Sequence, residues 1–271
     1  MVLIGPLMVD LAQGQRDLMR LKDNHVLVTG GAQGIGEAIV IDCAQEGARV
    51  SFIDIDVEHS QRLVAKLTAE GHQVQFERGD VSKFATFQTA YTKLIANFGP
   101  VTAAVSNAGR NSHADPVEYA EEEWESLFAL DLKSSWYIAK LCLPDMRKAK
   151  KGSIVNISSI HGRMTAPSFF PYSAAKAGII GLTRNLALDE AKHGIRVNSV
   201  SPGYTLTPLL HTYFELFPQA KVNAIGVQPM KRMGEPSEVA KVVSFVLSDE
   251  ASFINGADLM VDGGLHARYA C

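Results

Sequence analysis

From residue 25 to residue 261, short apolar runs alternate with longer segments of helical periodicity, and little else stands between them. That alternation leaves few folds open. A strand followed each time by a helix must pair in parallel and return by a right-handed crossover. Residues 25–29, 49–53, 74–76, 103–105, 153–157, 196–200 and 259–261 read as strands buried on both faces. Residues 35–46, 60–70, 84–98, 121–148, 172–193 and 236–247 read as helices, with stops at Gly47, Gly71 and Gly194. The long fourth helix is expected to loosen near Pro144. The fold class is therefore α/β: one doubly wound domain over residues 21–271, with a seven-stranded parallel sheet and helices on both faces. Residues 1–20 begin apolar but lack the basic start and cleavage pattern of a secretory signal, so they read as an N-terminal extension outside that domain.

Composition excludes several roles. A formal net charge of −3 argues against electrostatic binding of nucleic acid, and no apolar run is long enough to span a membrane. Cys43, Cys142 and Cys271 lie far apart and match no metal-ligand spacing, so no metal is expected. Sparse cysteines suit a reducing compartment, which makes the cytoplasm the expected location. Cys43 and Cys142 fall in helical segments and read as small core residues.

The run Thr29-Gly30-Gly31-Ala32-Gln33-Gly34-Ile35-Gly36 joins the first strand to the first helix. Glycines at such a junction let the backbone turn tightly against a pyrophosphate, whose charge the helix N-terminus holds. Gln33 and Ile35 complete this candidate cofactor loop. Asp54 follows the second strand, where a carboxylate accepts hydrogen bonds from ribose hydroxyls and repels a 2′-phosphate. Neither the glycine loop nor the residues directly after Asp54, starting at Ile55, bring an arginine or lysine. The cofactor expected is NAD rather than NADP. Tyr172 and Lys176 are four residues apart, so one helix face carries both. An ammonium near a phenol favours the phenolate. Such a pair suits an acid/base that exchanges a proton with an alcohol as hydride moves.

With these residues in order, the chain resembles the classical short-chain dehydrogenase/reductase family from about residue 21 to residue 264. The resemblance rests on the spacing of Gly30, Gly34 and Gly36, on Asp80-Val81, on Ser106-Asn107-Ala108-Gly109 and on Pro202-Gly203 with Thr205 and Thr207. It rests further on Ser159, thirteen residues before Tyr172, on Lys176, four after it, and on Val261-Asp262-Gly263-Gly264. It implies a Rossmann-type fold in which Asp80 and Val81 meet the adenine and Asn107 and Gly109 line the cofactor cleft. Pro202, Gly203, Thr205 and Thr207 would cradle the nicotinamide carboxamide. Ser159 would donate to the substrate oxygen, and Lys176 would also hold the nicotinamide ribose beside Tyr172. One position departs from the pattern: the family's asparagine in the long fourth helix is here Asp131. Asp131 would keep the backbone carbonyl that the family uses and add a negative charge near Lys176.

Residues 110–115, 160–170 and 204–228 should form the mouth of the site, with Asn111, His161 and Tyr204 as polar contacts among aromatic and aliphatic neighbours. That mixture suits a small hydroxylated or cyclic substrate. Three functions stay open: an NAD-dependent dehydrogenase of a sugar, polyol or cyclic secondary alcohol, a 3-ketoacyl-thioester reductase, and a non-catalytic dinucleotide sensor. The resemblance also implies a homo-oligomer, a tetramer with two-fold axes. The small residues Ala174, Ala175, Ala177, Gly178 and Gly181 of the fifth helix would permit close approach of a second copy.

Overall fold

The computed structural model describes residues 19–268. Its strands are β1 (His25–Thr29), β2 (Arg49–Asp54), β3 (Val74–Arg78), β4 (Ala103–Ser106), β5 (Gly152–Ile157), β6 (Ile195–Pro202) and β7 (Asp258–Val261). They form one sheet in the order β3-β2-β1-β4-β5-β6-β7, every neighbouring pair parallel. The chain winds outward from β1 to β3, then returns to begin β4 on the other side of β1. That reversal opens a crevice at the carboxyl ends of β1 and β4, where ligands of doubly wound sheets bind.

The helices are α1 (Gly34–Gln45), α2 (Val57–Ala69), α3 (Phe84–Phe98), α4 (Glu121–Phe128), α5 (Ser134–Ala149), α6 (Tyr172–Glu190), α7 (Pro208–Leu216), α8 (Pro218–Val227) and α9 (Pro236–Leu247). Strand alternation divides the core between the two faces of the sheet. On β1, Val26 and Val28 pack with Ile39, Val40 and Val243 of α1 and α9, while Leu27 packs with Phe87, Leu94 and Ile138 of α3 and α5. Val26, Leu27 and Val28 are fully buried, and each such side chain stabilises the fold by about 1.5–3 kcal/mol. Cys43 and Cys142 are buried and unpaired, and burial pushes both thiols up. No helix among the described residues is long and apolar enough to cross a membrane.

The structure corrects one sequence expectation. The long fourth helix does not loosen at Pro144, which lies inside α5. Pro144 and Lys140 are both exposed, so water can serve the Lys140 carbonyl that the proline leaves without a donor. The break comes earlier, at a single π-type turn over Ala129–Lys133 that separates α4 from α5. There the Ser134 hydroxyl donates to the Leu130 carbonyl at 2.5 Å, and Asp131 turns inward until it is 1 % exposed.

Residues 204–228, expected at the mouth of the site, are helical in part. They carry α7 and α8, each with a proline in its first turn, and Thr207 caps α7 by accepting from the Leu210 N–H. Phe214, Ala224 and Met233 give this lid a small core of its own. Its two ends meet at one backbone bridge, where Leu206 N–H donates to the Gly234 carbonyl and Gly234 N–H to the Tyr204 carbonyl, at 2.8 and 2.9 Å. At the start of the described residues, Arg20 pairs with Glu46 and Leu21 is fully buried. Residues 1–18 of the expected extension, and Cys271, lie outside the described residues.

Candidate active site

β1 delivers the chain into the glycine loop, and α1 starts at its far end. Gly30 and Gly34 hold φ at +67° and +62°, a region that side chains rarely adopt. A Cβ on Gly36 would fall 1.8 Å from the Gly30 carbonyl oxygen. Gln33, at the N-cap, makes no side-chain cap bond, which leaves first-turn N–H groups for an anion. Thr207 crosses over this loop, its Cγ2 3.3 Å from where a Gly34 Cβ would lie. The pieces fit a dinucleotide: a side-chain-free cradle, an uncapped helix end and a carboxylate at the rim. That carboxylate, Asp54, is fixed by accepting from Ala32 N–H and Asp56 N–H, both at 2.9 Å. Ile55 beside it is exposed, Val81 is buried, and Asp80 is held by the Ser82 N–H and hydroxyl. Pro202 closes β6, and a Cβ on Gly203 would strike Asp262 at 2.7 Å. Thr205 is buried and donates to the Gly203 carbonyl at 3.2 Å.

On the other side of the crevice, Ser159 follows β5 and caps the single 3-10 turn Ile160–Gly162, its Oγ accepting from His161 N–H at 3.1 Å. A hydroxyl whose lone pair is used in this way is free to donate its proton elsewhere. Tyr172 opens α6, and Lys176 stands one turn later with its Nζ 5.5 Å from the centre of the tyrosine ring. Nζ donates to the Ile157 carbonyl at 3.2 Å and lies 3.5 Å from Asp131 Oδ2. Lysine and aspartate are both buried, at 4 % and 1 % exposed. The Asp131 carboxylate also accepts from Arg110 N–H at 3.0 Å. Burial pushes its carboxyl up, against the opposing pull of the Lys176 ammonium and the Arg110 N–H. Gly109 covers the pair, since a Cβ there would lie 3.0 Å from Oδ2 and 3.2 Å from Nζ.

Phe169 gathers the mouth. The His161 ring stacks on it at 3.8 Å between centroids, and the His113 ring meets it at 4.4 Å. A bridge between Ala114 and Phe169 ties the two loops, with Ala114 N–H donating to the Ser168 carbonyl at 3.1 Å. The His161 ring also stands 5.8 Å from that of Tyr172, and burial brings its imidazole down to about 4, so it is neutral at ordinary pH. Asn111 shares a polar depression of about 410 Å³ with Arg110, His113, Asp115 and Tyr119. Tyr204 packs against the lid core, where burial pushes its phenol up. Arg110 bonds the Ser126 hydroxyl, and Arg163 pairs with the buried Asp258 carboxylate.

A family model described as enoyl-(acyl carrier protein) reductase, within the short-chain dehydrogenase/reductase family, matches residues 30–266. The chain belongs to the short-chain dehydrogenase/reductase family. Cyclopentanol dehydrogenase of Comamonas sp. is 36% identical to it over 249 residues, 92% of this chain and 99% of that one. The 3-oxoacyl-acyl-carrier-protein reductase of Thermotoga maritima is also 36% identical, over 247 residues, 91% of this chain and 99% of that one. The crystal structure of levodione reductase matches with a TM-score of 0.86 and 32% identity, covering 92% of this chain and 100% of that one.

In this family member two positions hold what the sequence did not disclose. The Asn107 amide donates to the Thr29 and Gly30 carbonyls at 3.0 and 2.9 Å, so it braces the glycine loop. Arg78 stands opposite Asp54 in the β2–β3 register, a basic neighbour hidden by a gap of many residues in the chain. The signal for it was strand pairing, which a search of adjacent residues misses. Asp131, expected near Lys176, forms a buried ion pair with it. Asp131→Asn should therefore shift the alkaline-side rise of alcohol oxidation to lower pH, because a negative charge beside the proton-exchanging groups disappears. It should cost about 3 kcal/mol of stability, the low end for removing one charge of a buried pair, since an amide oxygen can still accept from Arg110 N–H. Rate-versus-pH curves and thermal melts check both; superimposable curves would mean that the Asp131 charge has no part in proton exchange.

Proposed function

We propose that this chain is an NAD-dependent dehydrogenase of small uncharged secondary alcohols, of the cyclic, sugar or polyol type. The observation that carries this reading is the aromatic wall of His161, Phe169 and Tyr172 beside Ser159. Such a wall stabilises an apolar ring. NAD, when bound, supplies the hydride acceptor. Ser159 donates to the substrate oxygen, Tyr172 takes the hydroxyl proton as hydride leaves the carbon, and in reverse it returns that proton. Lys176, held by Asp131 and the Ile157 carbonyl, keeps its positive charge beside Tyr172.

The carrier-protein reductase among the relatives keeps a 3-ketoacyl-thioester reading in play. Asp54 weighs against it, because its carboxylate repels the 2′-phosphate of NADPH, the cofactor expected of that reaction. Two unpaired buried thiols support a reducing, cytoplasmic setting. Ala174, Ala177, Gly181 and Leu188 are exposed along α6, which supports a homo-oligomer, most simply a tetramer, that covers them. The test offers the purified protein cyclopentanol and cyclohexanol with NAD, and acetoacetyl thioester with NADPH. The cyclic alcohols should win by at least ~10-fold in kcat/KM. A preference for the thioester would favour the alternative, and nucleotide binding without turnover of either would indicate a dinucleotide sensor.

A further inference from the structure

We infer that His161 is a specificity residue whose open ring nitrogen receives a second, uncharged oxygen on the substrate. The substrate class is then a cyclic diol or hydroxyketone rather than a simple cyclic alcohol. The inference rests on the dehydrogenase reading above and adds to it the identity of the second polar anchor.

The ring is held from several sides. Its backbone N–H is bonded to Ser159 Oγ, which fixes it relative to the donor expected to take the reacting oxygen. One ring face stacks on Phe169, and Tyr172 stands at an edge-on angle of 67°. Nδ1 is 2.9 Å from the Thr165 hydroxyl. Among the described residues Nε2 has no hydrogen-bond partner, and it is not one of the buried unpaired polar atoms. A phenyl ring would stack on Phe169 equally well, so packing alone does not use this nitrogen.

Its chemistry selects the ligand. Burial and the nearby His113 hold the imidazole down to about 4, so at neutral pH it exchanges one hydrogen bond and attracts no anion. The Thr165 hydroxyl either donates to Nδ1 or accepts from it, leaving Nε2 as donor or acceptor. Nε2 thus suits a carbonyl or a hydroxyl, whereas a neutral imidazole gives a carboxylate no counter-charge.

The experiment measures kcat/KM with NAD for cyclohexanol and 1,2-cyclohexanediol, in the natural protein, His161→Phe and His161→Asn. Calorimetric titration of the protein–NAD complex with the diol gives a readout independent of turnover. The natural protein should prefer the diol by at least ~10-fold, the scale expected when a polar site loses a substrate hydroxyl. His161→Phe should weaken diol binding and lower kcat/KM for the diol by at least ~10-fold more than for cyclohexanol, and His161→Asn should restore part of the preference. An unchanged preference overturns the inference. Equal losses for both substrates also overturn it, since they mark a packing role. If neither compound turns over, the dehydrogenase reading fails separately, and diol binding that does not depend on His161 sinks this proposal as well.

Discussion

Tyr172→Phe is expected to lower kcat by at least ~100-fold, the lower range of acid/base contributions. The substitution keeps the ring and removes only the hydroxyl that exchanges the proton. Tyr172 is 8 % exposed and opens α6, so a phenyl ring of nearly the same volume fills its place without a cavity. Dinucleotide affinity should stay within about twofold, because the glycine loop, Asp54 and Lys176 are untouched. Ser159 would still polarise the substrate oxygen, which leaves a residual rate above that of water. The measurement is single-turnover hydride transfer beside nucleotide titration. Turnover within tenfold of the natural rate would remove Tyr172 from the proposed role.

Asp54 should decide between the two nicotinamide cofactors. Its carboxylate is oriented by Ala32 N–H and Asp56 N–H, so it cannot swing aside at little cost when a 2′-phosphate approaches. NAD should therefore be preferred over NADP by at least ~10-fold in kcat/KM, which corresponds to about 1.4 kcal/mol in the transition state. Replacing Asp54 by serine and Ile55 by arginine removes the repulsion and adds a cation, and should narrow or invert that preference. Arg78, across the strand register, is the internal control. If Arg78→Ala in the natural background destroys NADP use that proves comparable to NAD use, then Arg78 and not Asp54 governs the choice.

Much of this site could be read from local order alone. β1 and α3 span the residues that their patterns marked, because a doubly buried strand and an amphipathic helix leave strong local signatures. Tyr172 and Lys176 could be placed on one helix face from their spacing, and α6 carries both, while Ser159 came from the resemblance to the family. The misses have a common cause in tertiary contacts. Pro144 is tolerated because its surroundings are wet, and the break appears instead where Arg110 N–H and Lys176 draw Asp131 inward. Phe169 collects His113 and His161 across long stretches of chain, and no periodicity reports such a meeting. The two lid helices did carry local signals, Thr207 as a cap and Pro208 and Pro218 as first-turn residues, but on segments too short for a hydrophobic repeat to stand out.

The bridge that joins Tyr204 and Leu206 to Gly234 has a consequence for how such a protein diversifies. Everything between those contacts departs from the sheet and comes back at one point, like a pendant closed by its own clasp. Phe214, Ala224 and Met233 fill its interior with no need of the main core. Lengthening, shortening or exchanging residues 207–233 leaves β6, α9 and the crevice where they are, because loop length costs little once the ends are joined. The pendant can therefore be redrawn while Ser159, just after β5, and Tyr172 and Lys176, on α6, keep their places.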